Sequence, residues 1–304
     1  MTNLTQTRKA PAHLALVEDI NTEKSKTGYP LETIGVFSGA GSPGRTTIAI
    51  NLASELAMLG RKVLLIDLDT LAPAVSITLG LVETPAGLSS VLRLVEQNRL
   101  SKAEFQRLTV AIDLGRNEML FMPGLTSASR WPEITEARFS AMLTEVSQYV
   151  DCVVLDLPQP TFSTTQLIHP AVSDNRDALL VGVLARLAKL VSVSGCDSVS
   201  AKRYLDAIGF LEGTGFSGTH FTVVNRFRKS TLGPDAEFEL GESYEKLLKL
   251  RIDCLIPDDP DSLDRAMRNG LPLALLKRSS PARQAIASLA KQLALGSGKR
   301  QRRG

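Results

Sequence analysis

Three glycines, one hydroxyl and three carboxylates carry the spacing in this chain that could do chemistry. In the run TIGVFSGAGSPGRTTIAINLASELA, Gly39, Gly41 and Gly44 follow an apolar stretch and lead directly into helical periodicity. Glycines let a loop turn tightly with its N–H groups converging, and a helix N-terminus adds positive potential, so such a segment suits phosphate oxygens. The spacing Gly39-x-x-x-x-Gly44-Arg45-Thr46 fits the phosphate-loop pattern G-x-x-x-x-G-K-[ST] except at the lysine, which is Arg45. Thr46 falls where a hydroxyl ligates Mg²⁺. The plainer reading is a glycine-rich turn that only joins strand to helix, and the acids downstream count against it. VLLIDLDT delivers Asp67 and Asp69, and DCVVLDLPQP delivers Asp156, each at the carboxyl end of an apolar run, where open α/β sheets bind ligands. A lone acid there is as readily a helix cap or a loop solubiliser. Three of them beside a phosphate loop match what phosphoryl transfer needs: backbone amides, Mg²⁺ and a carboxylate that orients water. Asp156 fits the acid that orients Mg²⁺ and its water shell.

The elements that must position these groups read as short apolar runs alternating with amphipathic segments, the pattern of a parallel sheet with helical crossovers. Strands are predicted at Thr33–Phe37, Val63–Asp67, Met119–Met122, Cys152–Asp156, Ala178–Leu184, His220–Asn225 and Asp253–Ile256. VLLI (63–66) and CVVL (152–155) are apolar on consecutive residues, as in strands covered on both faces. The fold class is therefore α/β, a doubly wound, mostly parallel sheet with helices on both faces. Helices are predicted over Thr46–Leu59, with Ile48, Leu52, Leu56 and Leu59 in one stripe, and over Ser280–Leu295, with Ala282, Ile286, Leu289 and Leu293. Arg93–Leu108 reads as a solvated helix face. Residues 1–30 lack periodicity and read as a flexible leader, 31–295 as one nucleotide-binding domain, and 296–304 as a flexible basic tail.

Composition narrows the class. Cys152, Cys196 and Cys254 have no CxxC spacing, and the three histidines have no i,i+4 pairing, so a metal site of protein ligands alone is not expected. No stretch reaches the roughly 18 apolar residues that span a bilayer, which gives the expectation of a soluble, cytoplasmic protein. The formal charge of +3 includes Lys299, Arg300, Arg302 and Arg303, so the rest is close to neutral and not a body built for nucleic acid.

On these residues the chain resembles the ParA/MinD family of P-loop ATPases over about 31–295. The run GRTTIAINLASELAMLGRKVLLIDLDTLAPAVSITLGL is similar to that family's loop, first helix and Asp-x-Asp strand. VVNRF (223–227) is similar to its strand ending in an asparagine beside the base, and IPDDPDSLDRAMRNGLPL (256–273) to its late segment near the nucleotide. Within the family it most resembles the TadZ/CpaE-like branch, associated with pilus assembly and polar placement. The resemblance implies ATP and Mg²⁺ as cofactors. It implies that Gly39, Gly41, Ser42, Gly44, Arg45, Thr46 and Thr47 hold phosphates, and that Asn225 and Pro257 lie by the base. Asp69 would orient the attacking water, with Asp67 beside it as a second catalytic acid. Thr46, Asp67 and Asp156 would serve Mg²⁺, the acids through water.

Family members carry a lysine early in the loop that reaches the partner's phosphates across an ATP-bound dimer, and here that position is Ala40. Arg45 keeps charge but is planar and more weakly hydrated than an ammonium. Binding of ATP with slow or absent hydrolysis is thus expected, in a switch that positions or partitions an assembly: pilus or secretion machinery, a chromosome or a division site. The alternatives are a nucleotide-independent scaffold and a metabolic ATPase of the same superfamily. Partners implied are a nucleotide-dependent homodimer and proteins of the positioned assembly, at a pole, nucleoid or membrane-associated complex. Non-specific DNA is a further candidate, through Arg226, Arg228 and Lys229 or Arg265 and Arg268; a membrane surface is less favoured.

Overall fold

The structure of the protein, a computed structural model, describes residues 31–161, 176–276 and 279–295, with the side chains of 231 and 232 left out. The expected leader (1–30) and basic tail (296–304) lie outside the described residues. In chain order the elements are β1 (Glu32–Ser38), α1 (Arg45–Met58), β2 (Val63–Asp67), α2 (Val75–Thr78), α3 (Gly87–Glu96), α4 (Lys102–Leu108), β3 (Val110–Asp113), β4 (Glu118–Met122), α5 (Glu136–Val146) and β5 (Cys152–Asp156). They continue with α6 (Arg176–Arg186), β6 (Lys189–Gly195), α7 (Ser198–Glu212), β7 (Thr219–Phe227), α8 (Lys229–Leu232), α9 (Ala236–Leu248), β8 (Ile252–Pro257), α10 (Pro260–Asn269), α11 (Leu273–Leu276) and α12 (Pro281–Ala294).

The eight strands form one sheet in the order β3-β4-β2-β5-β1-β6-β7-β8, parallel throughout except for the β3–β4 pair. Strand β1 lies near the middle; β2, β3 and β4 build outward to one side, β5 returns between β2 and β1, and β6 to β8 build the other side. The consecutive apolar runs are explained by burial on both faces. Leu64 and Ile66 pack into one core while Val63 and Leu65 pack into the other. The first core is closed by α3 to α7 and α9, the second by α1, α10, α11 and α12. Helix α12 contributes Ala282, Ile286, Leu289 and Leu293, all at most 1% exposed, so its apolar stripe is core. Its entry is fixed by Ser280, whose Oγ accepts from the Arg283 amide at 3.1 Å and donates to Asp259 Oδ2 at 2.6 Å, tying α12 to the cap of α10.

Two expectations are corrected. Ala178–Leu184 is not a strand but the middle of α6, with Leu179, Leu180, Val183 and Leu184 buried on one helical face. The strand of that region is β6, KLVSVSG, in which Ser192 and Ser194 are buried but hydrogen-bonded, Ser192 to Tyr204 and His220 at 2.6 Å each. Arg93–Leu108 is not one solvated helix: it spans the end of α3 and all of α4, and Val95, Phe105 and Leu108 are buried. Among the described residues, no helix is long and apolar enough to cross a membrane.

Candidate nucleotide-binding site

The register of the sheet brings the acids together. Asp67 of β2 lies opposite Asp156 of β5, and Asp156 lies opposite Val36 of β1, three residues before the loop begins. Two carboxylates thus emerge side by side at the carboxyl edge, next to the strand that feeds the glycine loop, at the point where the sheet reverses its direction of growth.

The loop runs from Gly39 to Gly44. Gly41 and Gly44 have φ of +97° and +99°, and Ser42 also has positive φ, at 53°. Gly44 leads directly into α1, and no side chain caps that helix. Its first-turn amides are therefore not satisfied by a side chain and are available to an anion. Asn225, at the end of β7, donates from Nδ2 to the Pro43 carbonyl at 2.8 Å, and a Cβ on Gly44 would overlap that same Nδ2. Asn225 braces the loop from behind while Gly44 makes room for it. Pro257 ends β8 at the same edge, opposite Phe227.

The charged centre is organised by Arg45. Its Nε donates to Asp156 Oδ1 at 2.9 Å and its Nη2 to Asp69 Oδ2, while Thr46 Oγ1 donates to Asp156 Oδ2 at 2.6 Å. Asp156 is fully buried, so the guanidinium supplies the counter-charge that a buried carboxylate requires. The second oxygen of Asp69 accepts from the Leu71 and Ala72 amides at 2.9 and 3.0 Å, which folds the segment after β2 around it. Asp67 accepts from the Val75 amide at 3.1 Å and the Asp69 amide at 3.2 Å. Burial, with the Asp156 charge second, pushes the Asp67 carboxyl up to about 7. Burial also raises Asp156, opposed by Arg45 and Thr46. Gly124 keeps this corner tight, since a Cβ there would stand 2.5 Å from the Asp67 carbonyl oxygen.

The donor set fits Mg²⁺ held jointly with a nucleotide. Thr46 and Asp156 present hard oxygens in mutual contact, and Mg²⁺ is characteristically held by one or two such ligands together with substrate phosphates. A cage of protein ligands alone is not what the site offers: among the described residues, no group of three or more His, Cys, Asp or Glu could hold a metal. Thr46 and Asp156 would hold Mg²⁺ and Gly44 to Thr47 would present amides to phosphates, while the oxygens of Asp69 are taken by Arg45 and by the Leu71 and Ala72 amides. Bound Mg²⁺ would supply neutralisation of phosphate charge.

One residue at the site gave no sign in the sequence. Arg203 of α7 lies along the loop: a Cβ on Gly39 would be 2.5 Å from its carbonyl oxygen, and a Cβ on Gly41 would overlap its Nη1. The missing side chains of Gly39 and Gly41 therefore admit α7 and its arginine, besides letting the backbone turn. With β6 not recognised, nothing in the sequence placed α7 against the loop.

The AAA domain family matches residues 31–183, half of the chain. An uncharacterized ATP-binding protein of Methanocaldococcus jannaschii is 26% identical over 261 residues, 86% of each chain. The septum site-determining protein MinD of Thermotoga maritima is 29% identical over 243 residues, 80% of each chain. Among solved structures, a ParA family ATPase from Chlorobium tepidum superposes with a TM-score of 0.70 at 19% identity, covering 86% of this chain and 98% of that one. With the loop, the paired acids and the sheet order as described, the chain belongs to the AAA domain family and, within it, to the ParA/MinD group of P-loop ATPases.

Proposed function

We propose that this protein is an ATP-binding switch that pairs with a second copy of itself around the nucleotide, hydrolyses ATP slowly, and positions a larger cellular assembly. The observation that carries this reading is the bridge from Arg45 to Asp69 and Asp156. The uncapped start of α1, the Thr46 hydroxyl and the carboxylates beside it support a phosphoryl-transfer site. Yet the cation of the loop is directed at the two carboxylates such a site would use. To engage phosphates, the guanidinium must leave Asp69 and Asp156, exchanging buried ion pairs for others, and its planar fork cannot fill the place of a compact ammonium. Ala40 adds no charge to the loop. Slow cleavage of bound ATP follows from that combination.

The positioning role rests on the septum site-determining relative, and the TadZ/CpaE-like branch is its proposed place within the family, with pilus or secretion machinery as the assembly. Protein components of that assembly are the proposed partners. Non-specific DNA contact through Arg226, Arg228 and Lys229 is less favoured, because Arg228 and Lys229 lie 3.6 Å from Asp258 and Glu237. A second reading, a scaffold that does not use nucleotide, is favoured by the same Arg45 bridge if the arginine never leaves the acids.

Calorimetric titration with Mg²⁺-ATP, with mass followed by light scattering, separates the two. Saturable binding that Thr46→Ala weakens, accompanied by a monomer-to-dimer shift, is the expected result. An absence of binding at millimolar ATP would establish the scaffold.

A further inference from the structure

We infer that Arg203 is a phosphate-contacting residue, brought to the glycine loop in cis by α7. The inference rests on the ATP-binding reading above. Phosphates in a low-dielectric cradle call for positive charge besides amide donors, and this loop is short of it. Ala40 is uncharged and exposed, and Arg45 is bound to two acids. Arg203 meets the need from outside the motif. Its Cδ and guanidinium lie against Gly41, where a Cβ would be 3.3 Å from Cδ and would overlap Nη1. Gly41 and Ser42 form the exposed rim of the loop, so the guanidinium sits at the open mouth of the cradle and not in the core.

Its charge is also uncommitted. Neighbouring acids are already engaged: Asp206 pairs with Lys202, and Asp197 caps α7 through the Ser200 amide at 2.9 Å and the Ser200 hydroxyl at 2.6 Å. Among the described residues Arg203 forms no ion pair and no side-chain hydrogen bond, although it lies on the surface against Gly39 and Gly41 of the loop. An arginine packed on a glycine with no acid to hold it there is placed for an anion. The backbone cooperates, because Gly39 and Gly41 lack the side chains that would push α7 and this guanidinium away. A guanidinium so placed contributes a charge-assisted, planar contact to phosphate oxygens without a second protomer.

Arg203→Met keeps the aliphatic stem on Gly41 and removes the charge; Arg203→Lys restores a charge. Both are tested in the full chain by calorimetric titration with Mg²⁺-ATP over a salt series, beside the melting temperature without nucleotide. Arg203→Met is expected to weaken ATP binding by about tenfold or more and to flatten its salt dependence, with Arg203→Lys recovering much of both. The melting temperature is expected to stay at the wild-type value. ATP binding by Arg203→Met equal to wild type would overturn the inference while leaving the ATP-binding reading intact. So would a loss that Lys does not recover and that comes with a lowered melting temperature, the mark of packing alone. Wild-type protein that binds no ATP would instead overturn the reading on which the inference rests.

Discussion

Arg45 stands between two carboxylates that would otherwise repel each other at the carboxyl edge of the sheet. Asp156 is wholly buried and Asp69 nearly so, and the guanidinium satisfies one oxygen of each. Arg45→Met should therefore destabilise the nucleotide-free protein by about 3–5 kcal/mol at pH 7.5, the cost of leaving a buried charge unpaired. Urea unfolding at pH 7.5 and pH 5 measures it, and the loss should shrink at the lower pH as carboxyl groups protonate. Asp67 behaves differently, because among the described residues it has no ion-pair partner and its contacts are the Val75 and Asp69 amides. Folded, it keeps its proton to about 7, whereas the ordinary value is 3.8, so unfolding releases a proton within that window. Stability conferred by this group is thus full below about 4 and falls as pH rises through 7. Asp67→Asn should flatten the slope of unfolding free energy against pH between those limits, and an unchanged slope would place the titration elsewhere. At this scale the sequence was informative where spacing encodes function. The glycine loop and the strand ends carrying Asp67, Asp69 and Asp156 were legible because each is a local feature, whereas the contacts of Asp156 with Arg45 and Thr46 depend on strand order. Arg203 was invisible, because its place depends on how α7 crosses the sheet.

Helices and strands were legible in proportion to how plainly their faces differ. Helix α1 and helix α12 show a 3–4 spacing that only a helix explains, and both occur within a residue or two of the expected bounds. Strands β2 and β5 match their expected ranges because five consecutive buried residues leave no helical alternative in so short a run. ALLVGVL failed for the opposite reason: a continuous apolar run with valines fits a buried strand and a buried helix equally well. Strand β6 was hidden because Ser192 and Ser194 break its apolar pattern, their polarity being satisfied only by tertiary partners such as Tyr204 and His220. Helix ends carry their own test. Ser280 caps α12 and simultaneously holds Asp259, the cap of α10, so Ser280→Ala removes two partly buried hydrogen bonds. A loss of about 1–2 kcal/mol in chemical unfolding is expected, with the cooperativity of the transition unchanged. A change below a few tenths would mean that the two helices are fixed by packing alone.

Across the whole molecule, the order of strands is what turns separate motifs into a site. Because β5 inserts between β1 and β2, Asp156 stands beside Asp67 and within reach of Arg45 and Thr46, residues more than a hundred positions earlier in the chain. The doubly wound class was readable from the alternation of elements, but the insertion was not, since a sequence lists strands in time and not in space. Asn225 at the far side of the same edge closes the loop, so the cradle is shaped by β1, β5 and β7 together. In the proposed switch, ATP would be bound and cleaved slowly because Arg45 is drawn to Asp69 and Asp156. Single-turnover hydrolysis tests this most directly: the full chain in excess over labelled ATP and Mg²⁺, wild type beside Asp69→Ala, with retained ATP and released phosphate followed together. The expected result is ATP retained and intact in both proteins over the same interval. Rapid phosphate release by wild type that Asp69→Ala abolishes, or no ATP retained by wild type, would contradict a slow nucleotide switch built around Arg45.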